Sequence, residues 1–140
     1  MTVYLDASAI VPLFVADAFS TRATEFLRAT KAAPIISDWA GLEVSNVVAR
    51  QARIGALTAE QAAAALANFD FWRGESVSTA EIAALDVAVA TQFVRRPGLA
   101  LRGPDAVHLA MAQRLGAPLV TFDVRMAAAA EALGVAIATA

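Results

Sequence analysis

The chain opens on a short apolar run at residues 3–5, which ends at once in the carboxylate of Asp6. So short and so apolar a run, bounded on both sides, predicts a buried strand. The same pattern returns near the far end of the chain, where residues 119–122 lead into Asp123. Strands of this kind belong to parallel sheets covered by helices, so this feature favours an α/β fold.

Further short apolar runs alternate with helical patterns along the chain. Strands are predicted at three more places, residues 34–36, 76–78 and 135–137. Helix starts are marked by a cap at Ser37-Asp38 and by capping boxes at Thr58/Gln61 and Ser78/Glu81. We therefore predict a three-layer α/β fold, with a parallel sheet of about five strands flanked by helices, forming one domain over residues 1–140.

The charge balance limits how the chain can meet nucleic acid. A formal net charge of −2 and a pI near 5.3 exclude broad electrostatic coating of an RNA or DNA backbone. All but one of the 11 basic residues are arginine, whose planar guanidinium binds phosphate through paired hydrogen bonds. A mean hydropathy of +0.58 favours self-association or a protein partner that covers apolar surface.

Other classes of protein are excluded by what the sequence lacks. No cysteine is present, so there is no disulfide, thiolate nucleophile or zinc–thiolate site. No apolar run reaches the ~18 residues that suggest a membrane span, and Asp6 interrupts the first apolar segment too early for a signal peptide. We therefore expect a cytoplasmic protein with no membrane partner.

Four acidic residues occupy marked places in the predicted fold: Asp6, Glu43, Asp105 and Asp123. The first and last directly follow strands, Asp105 lies in the first turn of a helix, and Glu43 lies one or two turns into the helix after the second strand. Ligands of open parallel sheets bind outside the carboxyl ends of the strands. If the first strand and the 119–122 strand are neighbours, all four side chains face one spot at that edge.

A simpler interpretation is that these acids are helix caps, because Asp is a favoured N-cap residue. Taken singly, each aspartate is more often a cap than a ligand, but Glu43 lies inside a helix and caps nothing. Several crowded carboxylates cannot all stay ionised without a cation. Oxygen ligands without His or Cys select Mg²⁺ or Mn²⁺, ions that activate water for attack on phosphate esters. We therefore predict that all four acids are catalytic and bind such an ion.

Four motifs in this order resemble those of PIN-domain proteins, and more closely those of the VapC-type toxins of toxin–antitoxin pairs. They are residues 5–8 (LDAS), 43–46 (EVSN), 105–110 (DAVHLA) and 121–123 (TFD). The resemblance covers essentially the whole chain. It implies a Mg²⁺- or Mn²⁺-dependent endoribonuclease, with Asp6 and Asp105 as the principal metal ligands and Glu43 and Asp123 completing the acidic pocket. It also implies a homodimer or higher toxin–antitoxin assembly, blocked by a VapB-type antitoxin that inserts a segment into its groove.

Several other residues receive supporting roles. By the resemblance, Ser8 and Thr121 match the hydroxyl residues that line such pockets. Arg102 and Arg125 flank two of the acids and are candidate phosphate contacts for the RNA substrate, with surface ion pairs as the alternative. His108, the only histidine, is expected to pack beside the site or to bond a backbone group, with a role as acid or base as the alternative. The candidates for the antitoxin groove, with ordinary core packing as the alternative, are Leu13, Phe14, Phe69, Phe71 and Trp72.

Other classes also fit part of the pattern. Haloacid-dehalogenase-like phosphatases place a second acid two residues after the first, where this chain has Ser8, and a downstream lysine, whereas Lys31 is the only lysine here. A receiver-type phosphorylation domain fails for the same lysine reason. The remaining alternative is a catalytically inactive PIN-like module that binds RNA or protein, although such a module has no need to crowd unneutralised charge.

Overall fold

The computed structural model describes all 140 residues. The strands are Thr2–Leu5 (β1), Ala33–Ser37 (β2), Ser78–Ala80 (β3) and Leu119–Val120 (β4). The helices are Ala7–Ile10 (α1), Ser20–Ala29 (α2), Asp38–Arg53 (α3), Ala59–Ser76 (α4), Ala84–Val94 (α5), Gly103–Leu115 (α6) and Val124–Leu133 (α7). A short 3₁₀ turn, Val11–Leu13, continues from α1. None of the helices combines the length and the apolar character needed to cross a membrane.

All strand pairs of the sheet are parallel, in the order β3-β2-β1-β4. In the central strand β1, Tyr4 is the register partner of both Ile35 and Leu119. Because β1 and β4 are neighbours, the residues that follow them, Asp6 and Asp123, leave the sheet at the same edge. The predicted parallel α/β fold is therefore confirmed.

The prediction of a fifth strand at residues 135–137 is wrong, since the sheet has four strands. That segment makes a single parallel bridge, between Leu119 and Ile137. Its hydrogen bonds to β4 run from the Leu119 N–H to Ala136 and from the Ala138 N–H to Leu119, both at 2.8 Å. β4 is only two residues long, so the segment that runs beside it can pair with it over no more than a single bridge.

Side chains of β1 alternate between the two faces of the sheet, and each face carries its own hydrophobic core. Val3 and Leu5 join one core, to which α1, α3 and α4 contribute. Tyr4 joins the other, which is built with α5, α6 and α7 and includes the fully buried Leu109 and Met111. Helices therefore lie on both faces, and the three-layer arrangement is confirmed.

Two of the predicted caps begin the helices that follow them. Ser37 is the N-cap of α3, and its hydroxyl accepts from the Ala40 N–H at 2.9 Å. Thr58 and Gln61 form the predicted capping box at α4. The Thr58 N–H donates to Gln61 Oε1 at 2.9 Å, and the Gln61 N–H donates to Thr58 Oγ1 at 3.0 Å. The first of these caps fixes the start of α3, the helix that carries Glu43.

The chain around β3 departs from the prediction. The strand expected at 76–78 lies at Ser78–Ala80, so the helix cap expected at Ser78 is wrong. α5 begins after this strand, where the Asp86 carboxylate accepts from the Ala83 N–H at 2.7 Å. Pairing of β3 with β2 therefore overrides the local helix signal, as tertiary contacts commonly do.

Candidate active site

A cleft of about 570 Å³ lies where the chain leaves the carboxyl ends of β1 and β4, and acidic side chains line it. Asp17 lines it, as do the four predicted acids, Asp6, Glu43, Asp105 and Asp123. They come from four different places in the chain, which the parallel order of the sheet and the packing of α3 and α6 bring to one edge. The structure therefore brings all four predicted site acids to one cleft.

The predicted supporting residues divide between this cleft and its surroundings. Ser8 and Arg102 line the same cleft. Thr121 does not line the cleft itself, but its hydroxyl donates to Asp6 at 2.6 Å. Arg125 does not line this cleft but a neighbouring one of about 560 Å³, which shares Arg102 with the first.

Asp6 is the most deeply buried of the four acids, with 2% of its surface exposed. As the N-cap of α1 it accepts from the Ala9 N–H at 3.1 Å, and its two oxygens also accept from the hydroxyls of Ser8 at 2.7 Å and Thr121 at 2.6 Å. No lysine or arginine pairs with it. Burial raises the pKa of Asp6 above its ordinary value, and the hydroxyl hydrogen bonds oppose this only in part. Asp6 is thus a helix cap and also a buried carboxylate without a cation.

The two hydroxyl residues join the segments that follow β1 and β4. Ser8 Oγ and Thr121 Oγ1 lie 3.0 Å apart, and each donates its proton to Asp6. Ser8 Oγ also accepts from the Phe122 N–H at 2.9 Å, and Thr121 Oγ1 accepts from the Asp123 N–H at 3.1 Å. These contacts hold the segments that carry Asp6 and Asp123 against each other.

Glu43 is held by a chain of buried side chains that sequence reasoning did not identify. Its Oε2 lies 2.7 Å from His108 Nε2, and His108 Nδ1 lies 2.7 Å from the Tyr4 hydroxyl. The Tyr4 hydroxyl in turn lies 2.8 Å from Ser37 Oγ, which accepts from the Ala40 N–H. His108 packs beside the site as expected, but its partners are side chains rather than a backbone group.

One arrangement of protons satisfies this whole chain. Ser37 donates to Tyr4, Tyr4 donates to His108 Nδ1, and His108 Nε2 donates to Glu43. If the Tyr4 proton pointed to Ser37 instead, the Ser37 proton would have no acceptor. Burial raises the pKa of Tyr4 above its ordinary value, which keeps its hydroxyl a donor. We infer that the imidazole presents its Nε2–H to Glu43 and so fixes the orientation of that carboxylate.

Asp105 and Asp123 have partners nearer the surface. Arg102 Nε donates to Asp105 Oδ2 at 3.2 Å, and this contact raises the pKa of Arg102. The Arg102 side chain is 75% exposed, so the ion pair is weak and easily displaced. Asp123 caps α7 through Oδ1, which accepts from the Arg125 and Met126 N–H groups at 2.9 and 3.3 Å. Its second oxygen makes no hydrogen bond within the chain.

The donors of the cleft fit a hard divalent cation by their chemistry. Carboxylate and hydroxyl oxygens are the ligands that Mg²⁺ and Mn²⁺ prefer, and the one imidazole nearby has both nitrogens engaged. As placed, no three acidic or histidine side chains are grouped closely enough to hold an ion. Asp105 is engaged by Arg102, and Glu43 by His108. Binding of a cation by three of these side chains would therefore require the carboxylates to turn toward one another.

The aromatic residues expected at a partner groove divide between core and surface. Phe69 is fully buried, and the rings of Phe14 and Trp72 pack on it with centroids 5.6 and 6.3 Å away. Of this group only Phe71 is well exposed, at 73%. Core packing therefore accounts for the Phe69 cluster. The aromatic residues that line the acidic cleft are a different pair, which sequence reasoning missed, Phe19 and Phe122.

Solved structures of the same fold include toxins and toxin–antitoxin complexes. The toxin VapC20 of Mycobacterium tuberculosis, described as cleaving the sarcin–ricin loop, has a TM-score of 0.74 at 20% identity, over 91% of this chain and 95% of that one. A toxin–antitoxin complex from Klebsiella pneumoniae gives 0.61 at 18% identity, over 87% of each chain. VapBC2 of Rickettsia felis, bound to a DNA fragment from its promoter, gives 0.64 at 16% identity, over 89% of each chain. The fold is therefore the one found in VapC-type proteins.

The family is shown by the sequence itself. The family model described as PIN domain matches residues 3–132, so the chain belongs to the PIN-domain family. No functionally curated protein matches the chain significantly. The resemblance drawn from the four short motifs is thereby confirmed for the family and the fold.

Proposed function

We propose that this chain is a Mg²⁺- or Mn²⁺-dependent endoribonuclease that acts as the toxin of a VapBC-type toxin–antitoxin module. The observation on which the proposal rests is that Asp6, Glu43, Asp105 and Asp123 line one cleft. Membership of the PIN-domain family and the fold shared with VapC20 support the same function. A metal ion held by carboxylates is well suited to catalyse the hydrolysis of RNA phosphodiester bonds.

The four acids have distinct places in this proposal. Asp6 and Asp105 are the principal ligands of the cation, while Glu43 and Asp123 complete the acidic pocket. A bound cation would polarise a phosphoryl oxygen and lower the pKa of the water that attacks phosphorus. The buried Asp6, which follows β1, and the half-buried Asp105 of α6 would together hold the ion.

Hydroxyls and arginines support this centre. Ser8 and Thr121 orient Asp6 by donating to its two oxygens. With a cation bound at its carboxylate partner, the Arg102 guanidinium would be available at the edge of the cleft to bind a phosphate of the RNA. Arg125, in the neighbouring cleft, is placed to bind a phosphate further along the strand.

The proposal extends to partners and location. The toxin–antitoxin complexes among structures of this fold support a VapB-type antitoxin as a protein partner. A homodimer, or a higher toxin–antitoxin assembly, is supported by exposed apolar side chains on α5, where Leu85, Val87 and Val94 are 62%, 50% and 38% exposed. The protein would encounter both RNA and the antitoxin in the cytoplasm, where we expect it to act without a membrane partner.

The alternative is a catalytically inactive PIN-like module that binds RNA or protein. One observation favours it, namely that no three acidic or histidine side chains are grouped closely enough to hold an ion. Calorimetric titration separates the two functions. The nuclease takes up Mn²⁺ or Mg²⁺, and the inactive module does not.

The proposal predicts that purified protein cuts RNA only with a divalent cation and an intact Asp6. Labelled RNA is cleaved in Mn²⁺ and left whole in EDTA. Asp6→Asn slows cleavage by about a thousand-fold or more, because a catalytic ion supplies several kcal/mol of transition-state stabilisation. Asp70→Asn, at an exposed position of α4, is the matched control and cleaves at the wild-type rate. Wild-type cleavage by a folded Asp6→Asn variant would contradict the mechanism.

The same variants separate the functions in cells. Expression of the chain alone is expected to arrest bacterial growth, and Asp6→Asn or Asp105→Asn to relieve the arrest. Mapping of RNA ends after induction shows whether RNA is cut and at which sites. Growth arrest without new RNA ends would point to the inactive binding module instead.

A further inference from the structure

Two aromatic rings at the acidic cleft have no part in the chemistry proposed above. Phe19 and Phe122 both line the cleft, together with Asp6 and Asp123. Their rings are stacked, with centroids 5.3 Å apart and planes 8° from parallel. Phe19 remains 41% exposed, so part of this stack faces solvent.

Phe122 is fixed by the same network that holds Asp6. Its N–H donates to Ser8 Oγ at 2.9 Å, and its ring packs against the hydrophobic core on that face of the sheet. In the chain it stands between Thr121 and Asp123. A ligand that stacks on the exposed Phe19 ring of this pair therefore lies close to the proposed catalytic acids.

Phe19 occupies a position where an aromatic side chain does not cap or stabilise the start of its helix. It is the N-cap of α2, and no side chain caps that helix. Ser, Thr, Asp and Asn are favoured at N-caps because their oxygens accept an otherwise free N–H. The next residue does not replace the cap, because the Ser20 hydroxyl accepts from the Asp17 N–H at 2.9 Å. An exposed phenyl ring in a position that favours a polar residue indicates a role at the surface.

A cation lies beside the stack. The guanidinium carbon of Arg22 is 4.9 Å from the centroid of the Phe122 ring, within the range of a cation–π contact. Arg22 Nε also donates to a backbone oxygen of Ala140 at 2.8 Å. A flat apolar surface therefore adjoins a positive charge on one side and the acidic cleft on the other. This combination matches a nucleotide, because the base can stack while the phosphates meet the cations.

We propose that Phe19 and Phe122 form a stacking platform for an unpaired nucleobase of the RNA substrate, beside the phosphodiester held in the acidic cleft. The inference rests on the proposed nuclease function and specifies its substrate class: RNA that is single-stranded, looped or bulged at the cleavage site. Bases inside an A-form helix are covered by their neighbours and do not reach a protein ring. The adjoining acidic cleft favours a nucleotide over a peptide, because a phosphate ester is what a metal held by these acids binds.

The first test compares Phe19→Leu with wild type on a labelled single-stranded RNA oligonucleotide that carries a cleavage site mapped on total RNA. Leucine keeps an apolar side chain but removes the flat ring, so KM is expected to rise about ten-fold while kcat stays within about two-fold. Phe19→Trp is expected to keep the wild-type KM. Phe71→Leu, which alters another exposed phenylalanine that does not line the cleft, is the matched control.

A second test identifies the ligand of the platform as a base. The same oligonucleotide is prepared with one abasic nucleotide at each position near the cleavage site in turn. At the position whose base occupies the platform, the abasic RNA and Phe19→Leu together are expected to raise KM no more than either does alone. Additive effects at every position would overturn the proposal, and so would an unchanged KM for Phe19→Leu.

Failure of the platform is distinguishable from failure of the nuclease function. If the wild-type chain cuts no RNA in Mn²⁺, the nuclease function fails and the platform fails with it. If the wild type cuts RNA and Phe19→Leu cuts it with the same KM, only the platform fails. Weaker binding of the antitoxin by Phe19→Leu, with an unchanged KM for RNA, would assign the pair to a peptide and overturn the platform.

Discussion

Two aspartates, Asp6 and Asp86, are equally removed from solvent but are balanced in different ways. Their exposed fractions are 2% and 1%. Asp86 of α5 accepts two hydrogen bonds from the Arg114 guanidinium of α6, at 2.7 and 2.9 Å, and one from the Ala83 N–H. Asp6 accepts from two hydroxyls and one backbone N–H but contacts no cation. The first is a complete ion pair, and the second is a buried charge that the protein does not neutralise.

The pKa values of the two carboxyls shift in opposite directions. Burial raises both, but at Asp86 the hydrogen bonds and charge of Arg114, with the Ala83 N–H, outweigh it and hold the pKa below its ordinary value. At Asp6 burial outweighs the hydroxyl hydrogen bonds, and the pKa lies above its ordinary value. A carboxylate that serves only the fold is paired within the protein, as Asp86 is. One left unpaired beside a cleft is suited to an added cation, which supports the metal-binding role proposed for Asp6.

The largest effect on stability is expected from removing the internal cation of the Asp86 pair. Arg114→Met leaves a carboxylate that is buried like Asp6 but has no hydroxyl donors, so the free energy of unfolding falls by about 3 kcal/mol. Urea denaturation measures this change. Arg95→Met, at an exposed arginine, is the matched control and changes stability by at most about 0.5 kcal/mol. Equal losses in the two variants would show that Arg114 does not balance Asp86.

Three of the four acids stand out in the sequence because local signals mark their positions, whereas Glu43 lies inside a helix without such a signal. Asp6 and Asp123 each follow a short apolar run, although the strand expected over 119–122 spans only Leu119–Val120, and Asp105 follows Pro104 in the first turn of a helix. These signals require no knowledge of distant contacts. The sequence left open whether β1 and β4 are neighbours, and the structure supplies that pairing, which brings the strand-end acids together.

The parts that could not be predicted depend on which distant residues meet. Tyr4 and His108 are 104 positions apart and meet only because Tyr4 faces the core that α6 fills. Asp86 and Arg114 pair across α5 and α6, and no local spacing marks either residue as a partner of the other. The stack at Phe19 likewise depends on the course of the loop before α2. Sequence patterns report the period of an element, but not which side chains its neighbour presents.

A smaller effect, on metal affinity, is expected from the residue that positions Glu43. This carboxylate is held by the imidazole of His108 and not by an arginine. His108→Leu removes the hydrogen-bond donor, and Mn²⁺ affinity is expected to fall about 10- to 100-fold, the usual result of losing a residue that orients a metal ligand. Isothermal titration calorimetry with Mn²⁺ measures the loss. His108→Gln, whose side-chain amide donates from nearly the same place as Nε2, is expected to recover most of the affinity. Equal loss in both variants, each checked for folding, would mean that His108 acts only through packing.

The smallest effect is on the pH dependence of stability without divalent cations, where the two aspartates are expected to act in opposite directions. The folded pKa of Asp6 lies above the unfolded value of about 3.9, so stability falls as pH rises from there through the folded pKa. The folded pKa of Asp86 lies below the unfolded value, so its contribution is present above about pH 3.9 and is lost as pH falls through the folded pKa. Each slope is limited to about 1.4 kcal/mol per pH unit.

Urea unfolding of wild type, Asp6→Asn and Asp86→Asn over a range of pH in EDTA separates the two slopes. Asp6→Asn removes the decline above about pH 4 and, because it eliminates an unbalanced buried charge, is at neutral pH at least as stable as wild type. Asp86→Asn removes the decline at acid pH and is less stable at neutral pH. Mn²⁺ stabilises the wild type but not Asp6→Asn, because only the wild type retains the anchoring ligand. If Asp6→Asn were instead the less stable protein in EDTA at neutral pH, Asp6 would be a structural carboxylate of the same kind as Asp86.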